Sequence, residues 1–265
     1  MRGPESVASC PPVKAVLVAL AVTLAAVPAS AVPPPGTGTT GTAGRPVVLV
    51  QAGHLSPGEP GYLAQTGASG NPFGPESEFT RRVRDDMVRR LRAAGIDARP
   101  VGARVEPLGV AAATFISVHH DSPGGAAMVG HAEAGGNENY YRGQGFGTAQ
   151  ATPYPDSAPH RRPATTVSKA VQRTSTRTAE RLAAALGRVF TRANGARGRF
   201  HGVVPPGSQR RMNHFYGFYR TTAASRVIVE AGAAPEDNLF LGRTATISRA
   251  LSDAVIADLR GRHLL

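Results

Sequence analysis

The chain has 265 residues and a formal net charge of +12, which is long enough for one substantial domain with its own core and little beyond it. Its single cysteine, Cys10, excludes a fold held by disulfides and a thiolate metal centre, leaving His, Asp and Glu as the side chains able to bind a metal. Of the 30 basic residues only Lys14 and Lys169 are lysine. Such an excess attracts polyanions, but the arginines are spread over helical faces without a basic block or nucleic-acid motif, so no nucleic-acid partner is expected. A preference for Arg over Lys, with abundant Ala, Gly and Pro, is also what a GC-rich genome produces.

Residues 1–31 read as a signal peptide. Arg2 and Lys14 flank an apolar run from Ala15 to Val27, and Ala29-Ser30-Ala31 has the small-x-small form of a cleavage site. The run is shorter than the roughly 20 residues a membrane span needs, so the reading is export with removal of the segment, leaving no membrane span. Removal takes away Arg2, Lys14 and Glu5 and leaves a charge of +11 and no cysteine. Residues 32–45, rich in Pro, Gly and Thr, read as a flexible linker, and residues 46–265 as the catalytic domain.

Within that domain Val47 to Val50 is a continuous aliphatic run, the mark of a strand buried on both faces, with His54 just past its end. From Glu76 to Ala94 the larger apolar residues Phe79, Val83, Met87 and Leu91 recur every four positions, which predicts an amphipathic helix closed by Gly95. A weaker strand is expected around Ala98 to Val101, and a strong one at Thr114 to Val118 that delivers His119 and His120. The stretch 123–163, rich in Gly, Pro and Tyr, has no sustained period and reads as a long loop. A helix from about Thr166 to Ala193 follows, with Val167, Val171, Thr178, Leu182 and Val189 on one face. A strand at Arg226 to Val229 then ends at Glu230, and the last helix, about Ala245 to Arg260, lines up Ile247, Leu251, Val255 and Leu259. Strands alternating with helices predict an α/β fold: one three-layer domain with a mostly parallel twisted sheet, helices on both faces, and a site at the C-terminal edge of the strands.

Three strand runs are each followed at that edge by a residue capable of metal or proton chemistry: His54, His119 and Glu230. Glu76, opening the first long helix, is placed to reach the same edge from the side. Two imidazoles and one carboxylate make a common catalytic zinc set, with a fourth position left for water. Each residue also has a plainer reading: a histidine after a strand is often only hydrogen-bonded, an acid in a first helical turn complements the helix dipole, and Glu230 would satisfy an arginine as well as a catalytic role.

In order and context these residues resemble the zinc-dependent N-acetylmuramoyl-L-alanine amidases of bacterial cell walls. The likeness rests on the strand and Gly-His pair ending at Gly53-His54, the Glu opening a Gly-closed helix at Glu76, the Ser-aliphatic-His run Ser117-Val118-His119, and the strand with its acid and nearby glycine, Val227 to Gly232. It implies zinc held by His54, Glu76 and His119, Glu230 as the catalytic acid or base, and peptidoglycan or muropeptides as substrate in the cell wall or periplasm, where the positive charge would meet anionic wall polymers. Glu78 is the rival of Glu76. His120 stands where the family has a small residue, on the opposite side of the strand from His119, and is read as a contact to substrate or to the metal ligands, not as a ligand itself. Only about twenty residues separate Gly95 from Ser117, too few for the extra helix the family has there, so one covering helix is expected to be missing. The long loop, with Tyr140, Tyr141, Phe146 and Tyr154, leaves the sheet directly after the metal motif, and reads either as a wall of the substrate groove or as a disordered surface loop. Alternatives are another exported zinc amidohydrolase or peptidase, and a silent wall-binding protein of the same fold.

Overall fold

The computed structural model describes residues 44–54, 67–102, 105, 109–134, 166–194, 199–205 and 216–265. In chain order these form β1 (Val47–Ala52), α1 (Glu76–Ala93), β2 (Asp97–Val101), β3 (Thr114–Asp121), β4 (Ala127–His131), α2 (Lys169–Asn194), β5 (Phe200–Val203), a 3₁₀ turn (Tyr216–Tyr219), β6 (Arg226–Ala233), α3 (Asn238–Leu241) and α4 (Thr244–Gly261). The predicted signal peptide, nearly all of the linker, and the four aromatic residues of the long loop lie outside the described residues.

Six strands make one sheet in the order β2-β1-β3-β6-β4-β5. The pairs β1/β2, β1/β3, β3/β6 and β4/β5 are parallel, while β4 runs antiparallel to β6. β1 and β3 lie between parallel neighbours, and their residues are buried with little alternation, as a strand covered on both sides requires. The expected α/β fold with a mostly parallel sheet is therefore present. β4 is a correction to the long loop read at 123–163: Ala127 to His131 is fully buried beside β6. Only Met128 and Val129 in that strand are large and apolar, so its burial comes from its neighbours and not from a pattern in its own residues.

Side chains alternate across the sheet. Val48, Val50, Ile116, Val118, Val227 and Val229 point into one cluster with Phe79, Val83, Met87 and Leu91 of α1, Leu182, Leu186 and Phe190 of α2, and Ile247, Leu251, Val255 and Leu259 of α4. At about 1.5–3 kcal/mol for each large side chain removed from water, this layer dominates the core. Leu49, Phe115 and Ile228 point the other way, into a smaller cluster with Val105, Val167, Phe218, Tyr219 and Ala223. Of the helices expected on both faces, the three long ones gather on one. The other is met, among the described residues, by the 3₁₀ turn, irregular segments and the first turn of α2 through Val171, consistent with the short connection between β2 and β3. Val167 precedes α2 and belongs to this second cluster, not to the helix stripe in which the sequence placed it.

The helical stripe of α1 is met as expected, and Gly95 takes a φ of 83° just past its end, the left-handed conformation that closes a helix. Arg226, at the start of β6, is 2% exposed. Its Nε donates to Ala223 O at 2.8 Å and its Nη1 to Phe218 O at 2.5 Å, so the buried cation is carried by one carbonyl of the 3₁₀ turn and one of the segment that follows it. No helix among the described residues is long and apolar enough to cross a membrane.

Candidate metal centre

The site is built where β1, β3 and β6 end. Gly53 N donates to Val118 O at 3.0 Å, holding the turn after β1 against β3, and the chain then swings through His54 at φ 55°. Thr80 Oγ1, from the second turn of α1, donates to Gly53 O at 2.7 Å and so ties the helix to the same turn. A Cβ on Gly53 would fall 2.5 Å from both Nδ1 and Nε2 of His119. Only glycine lets the two chain segments approach this closely.

Glu76, 3% exposed, lies at the centre. Its Oε1 is 3.0 Å from His119 Nδ1 and accepts from His120 N at 3.2 Å. Its Oε2 accepts from Ala68 N at 2.9 Å and lies 3.7 Å from His54 Nε2. The rings of His54 and His119 meet edge to face with centroids 5.1 Å apart. One ligand atom from each of His54, Glu76 and His119 lies within 4.8 Å of the others. The three residues expected at one edge are thus together.

The charges suit a cation. Burial pushes the Glu76 carboxyl up, but the hydrogen bond from His119 and the three surrounding imidazoles outweigh it and hold it down at about 2. Burial, against the pull of Glu76, drives His54 down to about 4, which leaves it neutral and able to donate a lone pair at neutral pH. His54 Nδ1 is buried with no hydrogen-bond partner, an orphaned polar atom of the kind a metal satisfies. For His119 burial works toward the neutral form, and the hydrogen bond and charge of Glu76 overcome it and raise the pKa.

Glu230 stands opposite His119 in the β3/β6 register. Its Oε2 is buried without a partner. Burial, reinforced by Glu76 and Asp121 and opposed by His119, pushes its carboxyl up to about 8, so it carries a proton at neutral pH. No arginine pairs with it among the described residues, and the plain salt-bridge reading has no support.

Glu78 is elsewhere: its carboxylate accepts from Arg81 and Arg82 on the outer side of α1, at 2.7 and 2.9 Å. His120 is 2% exposed. Its Nδ1 faces Asp121 O at 3.0 Å and must donate there, so its Nε2 accepts from Asn71 Nδ2 at 2.8 Å. Both ring nitrogens are engaged and Phe79 meets the ring edge to face, which gives His120 a place in the frame of the site. Asn71 escaped the sequence reading. Its Nδ2 also donates to Gly74 O, and its Oδ1 accepts from Phe73 N, which fixes the loop leading into Glu76. The Asn-Pro pair at 71–72, a turn former, was its only signal. Gly67 belongs to the same frame: a Cβ there would fall 2.6 Å from Glu76 Cβ.

No protein-family profile matches the chain, and neither does any curated protein. Solved structures do. Cwp6 from Clostridium difficile superposes with a TM-score of 0.50 at 12% identity, over 82% of this chain and 30% of that one, so the chain spans less than a third of Cwp6. The N-acetylmuramoyl-L-alanine amidase AmiC2 of Nostoc punctiforme gives 0.49 at 15% identity, over 83% and 99%. The CwlD amidase from Clostridioides difficile, solved in complex with the GerS lipoprotein, gives 0.48 at 12%, over 82% and 99%. At these identities the likeness is one of fold: the chain shares with Cwp6 an architecture built here as a six-stranded, mostly parallel sheet with helices.

Proposed function

We propose that this chain is an exported zinc hydrolase that cuts the amide bond between N-acetylmuramic acid and L-alanine in peptidoglycan. The observation that carries the reading is the convergence of His54, Glu76 and His119 within 4.8 Å, beside a buried acid, Glu230. Two imidazoles and one carboxylate fit catalytic zinc and leave a position for water. The choice of bond follows from the resemblance of the four motifs to the zinc-dependent amidases, and the choice of compartment from the leader sequence.

Zinc held by these residues supplies a Lewis acid that polarises a carbonyl and makes a water acidic near neutral pH. Glu76 contributes the anionic ligand and, through His119 Nδ1, orients that ring. Glu230 moves the proton. Positive charge beside it favours its carboxylate form, so it accepts a proton from the attacking water and returns it to the departing amine. Peptidoglycan or muropeptides are the substrate, and anionic wall polymers a further partner.

The test combines elemental analysis with product identification. The purified protein should carry close to one zinc per chain and release, from muropeptides, a stem peptide with a free L-alanine amino terminus. A different new terminus would identify another amidohydrolase or a peptidase. A zinc-loaded protein that cleaves no muropeptide would favour a silent wall-binding role.

A further inference from the structure

Of the three long helices, α1 and α2 carry their arginines differently. On α1, Arg81, Arg82, Arg84, Arg89 and Arg90 each meet Glu78, Asp85 or Asp86, and Arg92 donates to Ala98 O. On α2, Lys169, Arg173, Arg177, Arg181, Arg188 and Arg192 face a single carboxylate of their own helix, Glu180. Arg181 lies 3.7 Å from Asp258, and the other five have no carboxylate partner among the described residues. All six are exposed. At 100° per residue they fall within an arc of roughly 140°, and Arg173 to Arg192 spans about 29 Å at 1.5 Å per residue. A genome's preference for Arg explains neither the missing carboxylates nor the single face.

The ridge also has a direction. Ser175 Oγ accepts from Arg226 N at the start of β6. At the other end Asn194 donates to Asp237, which accepts from Ala233 N where β6 finishes. α2 therefore runs alongside β6 toward the edge that bears Glu230, and Arg188 and Arg192 stand at the end nearest the candidate metal centre.

We infer that the exposed arginine ridge of α2 is a docking surface for a phosphodiester polyanion of the cell wall, laid along the helix toward the His54–Glu76–His119 edge. A line of cations of which all but Arg181 lack a carboxylate partner among the described residues repels itself and is relieved by a line of anions. Each guanidinium offers a planar fork that matches phosphate oxygens in two parallel hydrogen bonds. The choice of a wall polymer over a nucleic acid rests on the proposed function and its compartment.

The experiment measures binding of the zinc-loaded protein to walls bearing poly(glycerol phosphate), to the same walls stripped of it, and to duplex DNA, over a salt series. The variant combines Arg173→Gln, Arg177→Gln, Arg188→Gln and Arg192→Gln. A control of equal charge combines Arg81→Gln, Arg82→Gln, Arg89→Gln and Arg92→Gln on α1, and melting curves establish that both are folded. At roughly 0.7 per neutralised phosphate on a flexible polyanion, the α2 variant should lower the slope of log K against log salt by about 3, while the α1 control changes it by less than half of that. The α2 variant should still cleave soluble muropeptides as the parent does. Equal losses in the two variants, unchanged binding to stripped walls, or tighter binding to DNA than to wall polymer would each overturn the inference. A protein without amidase activity that keeps binding dependent on α2 would refute the proposed function and leave the docking surface standing.

Discussion

Gly53→Ala is the most exacting perturbation of the site, because it adds one methyl group and removes no ligand. The added Cβ would fall against His119 Cε1 and lie 2.5 Å from Nδ1 and Nε2, so at least about 0.9 Å inside the 3.4 Å at which contact becomes ordinary. The backbone of Gly53 is held by Val118 O and by Thr80, at 3.0 and 2.7 Å. The His119 ring is held by Glu76 at 3.0 Å. Neither side yields freely, so the ring must move by most of an ångström, whereas metal–ligand distances tolerate about 0.2 Å. The backbone of Gly53 does not need a positive φ, so the cost is steric: overpacking of about 1–3 kcal/mol, and a loss of zinc affinity of at least the 10- to 100-fold typical of disturbing a ligand's support. Zinc competition against a chromogenic chelator, with melting curves of the zinc-free protein, measures both. A variant that melts lower yet binds zinc as tightly as the parent would show that His119 is not a ligand, and the reasoning would fail.

The ligand assignment predicts that Glu76→Gln loses zinc and activity while Glu78→Gln, which breaks only exposed pairs with Arg81 and Arg82, keeps most of both; elemental analysis with muropeptide cleavage decides, and the reverse result would move the ligand to Glu78. Glu230→Gln should leave zinc content nearly unchanged and lower turnover by roughly 100- to 10,000-fold, and near-normal turnover in a folded, zinc-loaded variant would remove Glu230 from the chemistry. In the zinc-free protein burial pushes the Glu230 carboxyl up from its ordinary 4.5 to about 8. Its neutral form is therefore the one the fold accepts, and stability falls as pH rises from about 4.5 through 8, by on the order of a few kcal/mol. Denaturant melts of zinc-free Glu230→Gln should lack that fall, and an identical pH profile in both proteins would contradict the buried, protonated carboxyl. His54→Ala and His119→Ala should each greatly weaken zinc binding, and full occupancy of either variant would count against the site.

Much of the molecule could be read from neighbouring residues in the chain. The four-residue spacing of Phe79, Val83, Met87 and Leu91 states which face of α1 is apolar, and the aliphatic runs before His54, His119 and Glu230 state that three strands end in polar residues. Those signals are local, because helix and strand periods are properties of short segments. The order of the motifs then led to the ligand set. What a local pattern does not carry is who sits across the gap. Counting back from Gly95 favours Glu76 over Glu78, and Glu78 pairs with Arg81 and Arg82 of its own helix, but it is the packing of α1 against β1 and β3 that brings Glu76 to His119, 43 positions away. β4 has no pattern of its own and becomes a strand because β6 and β5 lie on either side of it. His120 is engaged by Asn71, 49 positions away, and Asn194 at the end of α2 reaches Asp237, 43 positions away. Which groups a side chain meets depends on segments distant in sequence being packed together, and that is settled only when the sheet and its helices close on one another.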